Sequence, residues 1–291
     1  MPTSVGVVDA AVVDDAAALL AAVAAWARQR TDVDAAVVIG SHARVLVPAD
    51  RWSDIDIVLV VDDPVTYAAD AGWLAAFGGP LLTFTEPTAV GGFVEGGCCS
   101  TPDRMSTSHW CRSAAVEQIA DHPDAAAVFG RGFRMLVDKI DLARVLRRCG
   151  PAAAPALPDA AAFGHVTHDF WYHALWTARK LRRGEIWIAK QSCDGYLKAL
   201  AVRLLAWHTQ AMGPGVDTWH DGRFLERWAD RQTLQDLRAS YASYDADDVA
   251  RALWATVDLF ERLERDCAER LDLPLIVAHR EVRELLRAAL G

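Results

Sequence analysis

Asp54 and Asp56 stand two residues apart, downstream of a Gly40-Ser41 pair, and these four residues could do chemistry together. Gly40-Ser41 closes a short apolar run, residues 35–39, and is expected to open a helix whose first backbone N–H groups lack intrahelical partners. Such groups can cradle a phosphate. Residues 54–61 alternate and then become wholly apolar, so they predict a strand with Asp54 and Asp56 on one face. Adjacent carboxylates on a rigid strand repel each other unless a cation sits between them. Mg²⁺ carrying a nucleoside triphosphate meets that need, because Mg²⁺ prefers carboxylate oxygens together with substrate phosphates.

Taken singly, Gly-Ser is also an ordinary turn, and Asp-x-Asp the polar face of an edge strand. Their order is more specific. Strand, Gly-Ser, helix, loop and Asp-x-Asp strand together resemble the nucleotidyltransferase signature G-S-x-A-x(n)-D-x-D.

The elements around this pair divide the chain in two. Residues 9–30 predict an amphipathic helix with Leu19, Leu20, Val23 and Trp26 as its apolar stripe. After the Asp-x-Asp strand come a helix over 64–77, strands over 81–85, 91–95 and 104–110, a helix over 114–120, a strand over 133–137 and a helix over 142–148. That alternation predicts a mixed sheet flanked by helices. Residues 149–161 hold three prolines and, of bulky apolar residues, only Leu157, so they read as a linker. Helices are expected beyond it over 163–183, 185–212, 224–240, 247–271 and 279–290. The expected organisation is a nucleotide-binding α/β (α+β) domain over 1–150, a linker over 151–160 and an all-α bundle over 161–291.

Composition narrows the function further. In 291 residues, 52% hydrophobic and 24% charged content describes a globular protein with a sizeable core. A net charge of −9 argues against a nucleic-acid partner and favours a cationic one. No leader-like or membrane-spanning segment is read at the N-terminus, so a cytoplasmic protein is expected. The six cysteines form no C-x-x-C pair and have no histidine at zinc-ligand spacing, which predicts reduced thiols.

Six landmarks run along the chain: Gly40-Ser41-His42-Ala43-Arg44, Trp52-Ser53-Asp54-Ile55-Asp56-Ile57, Leu136-Val137-Asp138-Lys139, Asp169-Phe170-Trp171, Gly184-Glu185-Ile186 with Ala189-Lys190, and Trp207-His208. With them the chain as a whole resembles the aminoglycoside 6-adenylyltransferase (streptomycin adenylyltransferase) family. The resemblance covers residues 10–275. It implies a nucleotidyltransferase core with a mixed sheet, a C-terminal helical substrate-binding domain, and transfer of AMP from ATP to an aminoglycoside hydroxyl with Mg²⁺. It further implies Asp54 and Asp56 as catalytic metal ligands, Gly40, Ser41, Arg44 and Lys190 as nucleotide-binding residues, and Asp169, at the start of the first bundle helix, as the group that deprotonates the acceptor. Lys190 can equally be a solvated lysine, and Asp169 can be a helix cap or ion-pair partner.

Two positions depart from the family pattern. His42 replaces an arginine, and Ser106 occupies the position expected for a third carboxylate, facing Asp54 and Asp56 from the next strand. A serine supplies no charge for a second metal and is no base at neutral pH. Asp103, three residues away, is expected on the opposite face. The alternative function is therefore a degenerate relative that binds nucleotide or an aminoglycoside-like ligand without efficient transfer. His165, His168, Tyr172 and His173 lie on or near one face of one helix, where packed or hydrogen-bonded histidines are favoured over a metal site built from His165, His168 and Asp169. The loop over 213–223, with Asp217, Trp219, His220 and Asp221, is either a wall for a cationic ligand or a solvated loop. A monomer or weak dimer acting on a nucleoside triphosphate and a cationic small molecule is expected.

Overall fold

The run Val33–Ile39 (β1) has almost no polar side chain, so both of its faces must be covered, and its residues are almost all buried. It is an inner strand of a six-stranded sheet in the order β3-β4-β5-β2-β1-β6, with β2 Ile55–Val61, β3 Leu82–Pro87, β4 Val94–Thr101, β5 Arg104–Arg112 and β6 Arg134–Asp138. β1 runs antiparallel to β2 and β6, whereas β2 and β5 are parallel, which makes the sheet mixed. The computed structural model describes residues 10–44, 46–87, 94–101, 104–152, 156–213, 215–218 and 220–291. Residues 91–93 of the expected fourth strand, Asp103 and Trp219 lie outside them.

One sheet face carries Val33, Ala36, Val38, Ile55, Ile57, Leu59 and Trp110 and packs under α1, Ala10–Gln29, through Leu19, Leu20, Val23 and Ala27. The other carries Ala35, Val37, Ile39, Val58, Val60 and Cys111. It is covered by the 3₁₀ segment Ser113–Asp121 and by α3 (Pro123–Phe129) and α4 (Leu142–Arg147). The expected helix over 64–77 is two pieces, α2 Pro64–Ala69 and a 3₁₀ segment Ala71–Phe77. Asp70 in extended backbone separates them and caps the second through Gly72 N. The short helix α3, begun by Pro123, had no counterpart in the sequence reading.

The Asp138-Lys139 landmark is structural. The Asp138 carboxylate accepts from Leu142 N at 2.8 Å and Ala143 N at 3.0 Å, capping α4. Lys139 Nζ donates to the carbonyls of Ala27 at 2.9 Å, Arg30 at 2.5 Å and Val33 at 2.7 Å, closing the end of α1 onto the sheet. Lys139→Met should therefore cost about 1–2 kcal/mol, since hydrogen bonds from a charged donor contribute about 1.5–3 kcal/mol and this one is partly exposed. A melting temperature equal to that of the natural chain would show that the three bonds contribute nothing.

The chain divides into two compact units, Met1–Ala153 and Ala154–Gly291. The second consists of α5 Ala160–Arg182, α6 Ile186–Gln191, α7 Leu197–Met212, α8 Leu225–Trp228, α9 Arg231–Ala239, α10 Ala246–Leu271 and α11 His279–Leu290. Asp159 caps α5 by accepting from Ala162 N at 2.7 Å. Phe163, Phe170, Leu204, Leu253, Phe260 and Leu263 fill the core, with Phe170 stacked on Phe260 at 3.6 Å between ring centres. Two helices expected to be continuous are not. A single π turn, Ser192–Tyr196, separates α6 from α7, and Ala229-Asp230 in extended backbone separates α8 from α9. Periodicity cannot register one extra residue in a helix. Among the described residues no helix is long and apolar enough to cross a membrane, and the six cysteines are free thiols.

Candidate active site

Where β1 ends and β2 begins, the backbone brings the two halves of the motif together. Ile39 pairs with Asp56, so Asp56 points to the sheet face of Ile39, and Asp54, two residues earlier and just ahead of β2, belongs to that face by alternation. Asp54 is exposed and Asp56 half-buried. Gly40 follows at once with φ +65°. A methyl group on it would overlap the Asp56 carboxylate, with Cβ only 3.1 Å from Cγ. Only glycine therefore lets the chain turn over the acid.

Gly40–His42 forms one 3₁₀ turn and not the longer helix expected from the sequence. Ala43 N and Arg44 N both donate to Gly40 O, at 3.2 and 3.1 Å, and the chain then leaves the helical path. Ser41 is buried, at 4% exposure, and its hydroxyl oxygen has no hydrogen-bond partner among the described residues. Such an atom costs stability unless something outside the protein satisfies it. Burial and the nearby Arg134 cation push the His42 imidazole below its usual range, against the opposing pull of the Ser53 backbone and Asp54. Arg44 Nε donates to Val47 O at 3.0 Å.

The register of β5 corrects the sequence reading of Ser106. Ile55 pairs with Ser106 and Asp56 with Thr107 in the parallel ladder, so Ser106 shares the face of Ile55, opposite to the aspartates. There it lines a small cavity with Leu19, Val23, Ile57 and Leu59. The acid-facing residues of β5 are Met105, Thr107, His109 and Cys111, and none is a carboxylate. His109 Nδ1 instead lies 2.9 Å from Glu95 Oε2 of β4, the residue paired with it in the ladder. Burial pushes the His109 imidazole down to about 4, opposed by the Asp54 charge. Burial also raises the Glu95 carboxyl, helped by Glu86 directly across on β3. Neither Glu95 nor His109 was singled out from the sequence. The available signal was the parity of their positions once strands pair, and pairing is not written in either strand alone.

The sequence profile of the family described as Streptomycin adenylyltransferase matches residues 15–98 and 114–287, far more than half of the chain. The chain belongs to that family. Aminoglycoside 6-adenylyltransferase of Bacillus subtilis (strain 168) is 21% identical over 249 residues, covering 80% of this chain and 82% of that protein. A crystal structure of an aminoglycoside 6-adenyltransferase from Bacillus subtilis aligns over 93% of this chain and 97% of its own, at 14% identity and a TM-score of 0.46. A nucleotidyltransferase-like protein from Exiguobacterium sibiricum 255-15 aligns over 91% and 86%, at 11% identity and a TM-score of 0.34. The streptomycin adenylyltransferase match is interrupted between residues 98 and 114, a stretch that contains all of β5.

Within the helical unit, the family landmarks have local partners. Asp169 lies well inside α5, not at its start, and the cap is Asp159. Its carboxylate accepts from Tyr196 Oη at 2.9 Å on both oxygens, and Oδ1 lies 2.6 Å from His173 Nδ1. Tyr196 comes from the π turn. Lys190 Nζ donates to the Asp194 carboxylate and, at 2.5 Å, to Ala242 O. Trp171 Nε1 donates to the buried Glu264 at 2.9 Å, and His208 Nε2 lies 3.3 Å from Asp266. His165 and His168 are exposed, and among the described residues no group of three or more His, Cys, Asp or Glu could hold a metal. In the 213–223 loop, Gln210 Nε2 reaches Thr218 Oγ1 at 3.2 Å.

Proposed function

We propose that this chain transfers AMP from ATP to a hydroxyl of an aminoglycoside, or of a similarly polyhydroxylated cationic small molecule, with one Mg²⁺ held by Asp54 and Asp56. The observation that carries the reading is the junction of Gly40, Ser41 and Asp56. A bare glycine over a carboxylate and a buried, unsatisfied serine hydroxyl are what a metal–triphosphate needs from its first contacts. Bound there, Mg²⁺ would neutralise charge on the phosphates during transfer. Gly40, Ser41 and Arg44 would receive the triphosphate, and Lys190 could join them only by leaving Asp194 and Ala242. Asp169 is the carboxylate of the helical unit that this reading assigns to the acceptor. The cationic acceptor matches the chain's net charge of −9. A cytoplasmic location, with a supply of ATP and reduced thiols, belongs to the same proposal, as do a nucleotidyltransferase domain over 1–150, a linker over 151–160 and a substrate-binding domain over 161–291.

One observation favours a second reading. With Met105, Thr107, His109 and Cys111 on the acid-facing side of β5, that strand brings no third carboxylate, so the chain could bind nucleotide without transferring it. Incubating the purified chain with Mg²⁺, each nucleoside triphosphate and a panel of aminoglycosides, and weighing the products, separates the two. An acceptor heavier by one AMP is expected. ATP binding with no modified acceptor would favour the binding-only protein, and no ATP binding would refute both.

A further inference from the structure

The acid face of the sheet carries one titratable pair that the transferase reading leaves unused. Strand alternation sets His109 two residues beyond Thr107, the partner of Asp56, so imidazole and aspartates occupy adjoining strands on one face. The family match covers residues 15–98 and 114–287, so β5 lies outside it. We infer that His109, held by Glu95, takes the proton of the acceptor hydroxyl that attacks ATP, in place of the third carboxylate. The inference rests on the transferase reading and gives the part of base to His109 in place of Asp169.

The geometry is that of a carboxylate-oriented imidazole. His109 Nδ1 lies 2.9 Å from Glu95 Oε2, and a proton held on Nδ1 toward that carboxylate would fix the tautomer and leave the lone pair on Nε2. Side-chain exposures of 23% for His109 and 22% for Glu95 leave the pair reachable but largely desolvated. In the step itself the acceptor O–H bond breaks and the proton passes to Nε2. The freed electron pair forms a bond from oxygen to the α-phosphorus. The bond from that phosphorus to the bridging oxygen breaks, and pyrophosphate leaves with its electrons. The imidazolium so formed faces Glu95, with Glu86 behind it, and Asp54 and Asp56 on the neighbouring strand. The 3₁₀ segment packed on β5 adds Glu117 and Asp121, which are held by Arg144 and Arg148 and do not compete for the ring. Asp169 is less suited to the task, because both its oxygens already accept from Tyr196 and one of them also meets His173.

The test compares the full-length chain with His109→Gln, Glu95→Gln and Asp169→Asn, using ATP, Mg²⁺ and streptomycin together with a panel of other aminoglycosides. MgATP affinity is measured by calorimetry, melting temperature by circular dichroism, and kcat across pH. His109→Gln should lower kcat roughly a hundredfold or more, within the range for a general base, and abolish the acid limb of the profile with MgATP affinity unchanged. Glu95→Gln should lower kcat less and move the acid limb to lower pH, because the ring loses the carboxylate that favours its protonated form. If His109→Gln misfolds, the Glu95→Gln profile still decides. Transfer by the natural chain, with rate and pH profile unchanged in either variant, overturns the inference alone, as does an acid limb lost only in Asp169→Asn. A natural chain that binds no MgATP, or modifies no acceptor of the panel, overturns the transferase reading and this inference with it.

Discussion

Asp56→Asn is expected to reduce AMP transfer roughly a thousandfold and to remove the Mg²⁺-dependent part of ATP binding, and Asp54→Asn to do the same. A bound divalent ion supplies several kcal/mol of charge stabilisation in such a transfer, and about 1.4 kcal/mol corresponds to each factor of ten in rate. With a single two-aspartate site, losing either ligand charge should remove most of that. The fold should survive, because Asp54 is exposed and neither residue belongs to a core cluster. Relief of like-charge repulsion in the apo form could even leave it slightly more stable. Titrating ATP with and without Mg²⁺ reads the effect directly. If both variants bind MgATP as the natural chain does, the aspartates are not the metal ligands.

Gly40→Ala should be comparably damaging for a different reason. Its backbone, at φ +65°, lies in the left-handed region, where a side chain costs about 1–3 kcal/mol. The added methyl would also fall on the Asp56 carboxylate, which must swing away or push the turn open. Gly78 separates these effects. It too is left-handed, at φ +104°, yet a Cβ there meets nothing within 4 Å. Both alanine variants are therefore expected to melt lower, while only Gly40→Ala loses MgATP binding. Equal MgATP affinity in the two would mean that the contact between turn and carboxylate has no functional weight.

The contrast shows where sequence reasoning reached and where it stopped. The Gly-Ser turn and Asp-x-Asp strand were legible because each has a local cause, a breaker after an apolar run and a period of two. Helices such as Ala246–Leu271 and His279–Leu290 declared themselves by periodicity over many turns. Ser106 was placed on the wrong face because a strand with polar residues at nearly every position, Arg-Met-Ser-Thr-Ser-His, has no apolar alternation to declare its inner side. A slip of one residue then exchanges the two faces. The same ambiguity hid His109 and Glu95, which acquire meaning only once β4, β5 and β2 are aligned. Asp169 was displaced from helix start to helix interior because Asp159, the residue that caps α5, lies in the stretch assigned to the linker.

Lys139 also bears on the order in which the chain can be completed during synthesis. The carbonyls it binds belong to Ala27, Arg30 and Val33, more than a hundred residues earlier. β6, which immediately precedes it, closes the sheet against β1, the first strand made. A ribosome that has produced α1, β1 and β2 has thus built the whole Gly-Ser and Asp-x-Asp junction, but it must emit β3, β4, β5 and β6 before that junction has a finished flank. Until then β1 exposes an apolar edge with unpaired backbone groups, the kind of surface that recruits chaperones or other nascent chains. The N-terminal unit is therefore sealed by its own last strand, and a chain truncated ahead of residue 134 would carry every aspartate of the junction and still lack the strand that makes it a domain.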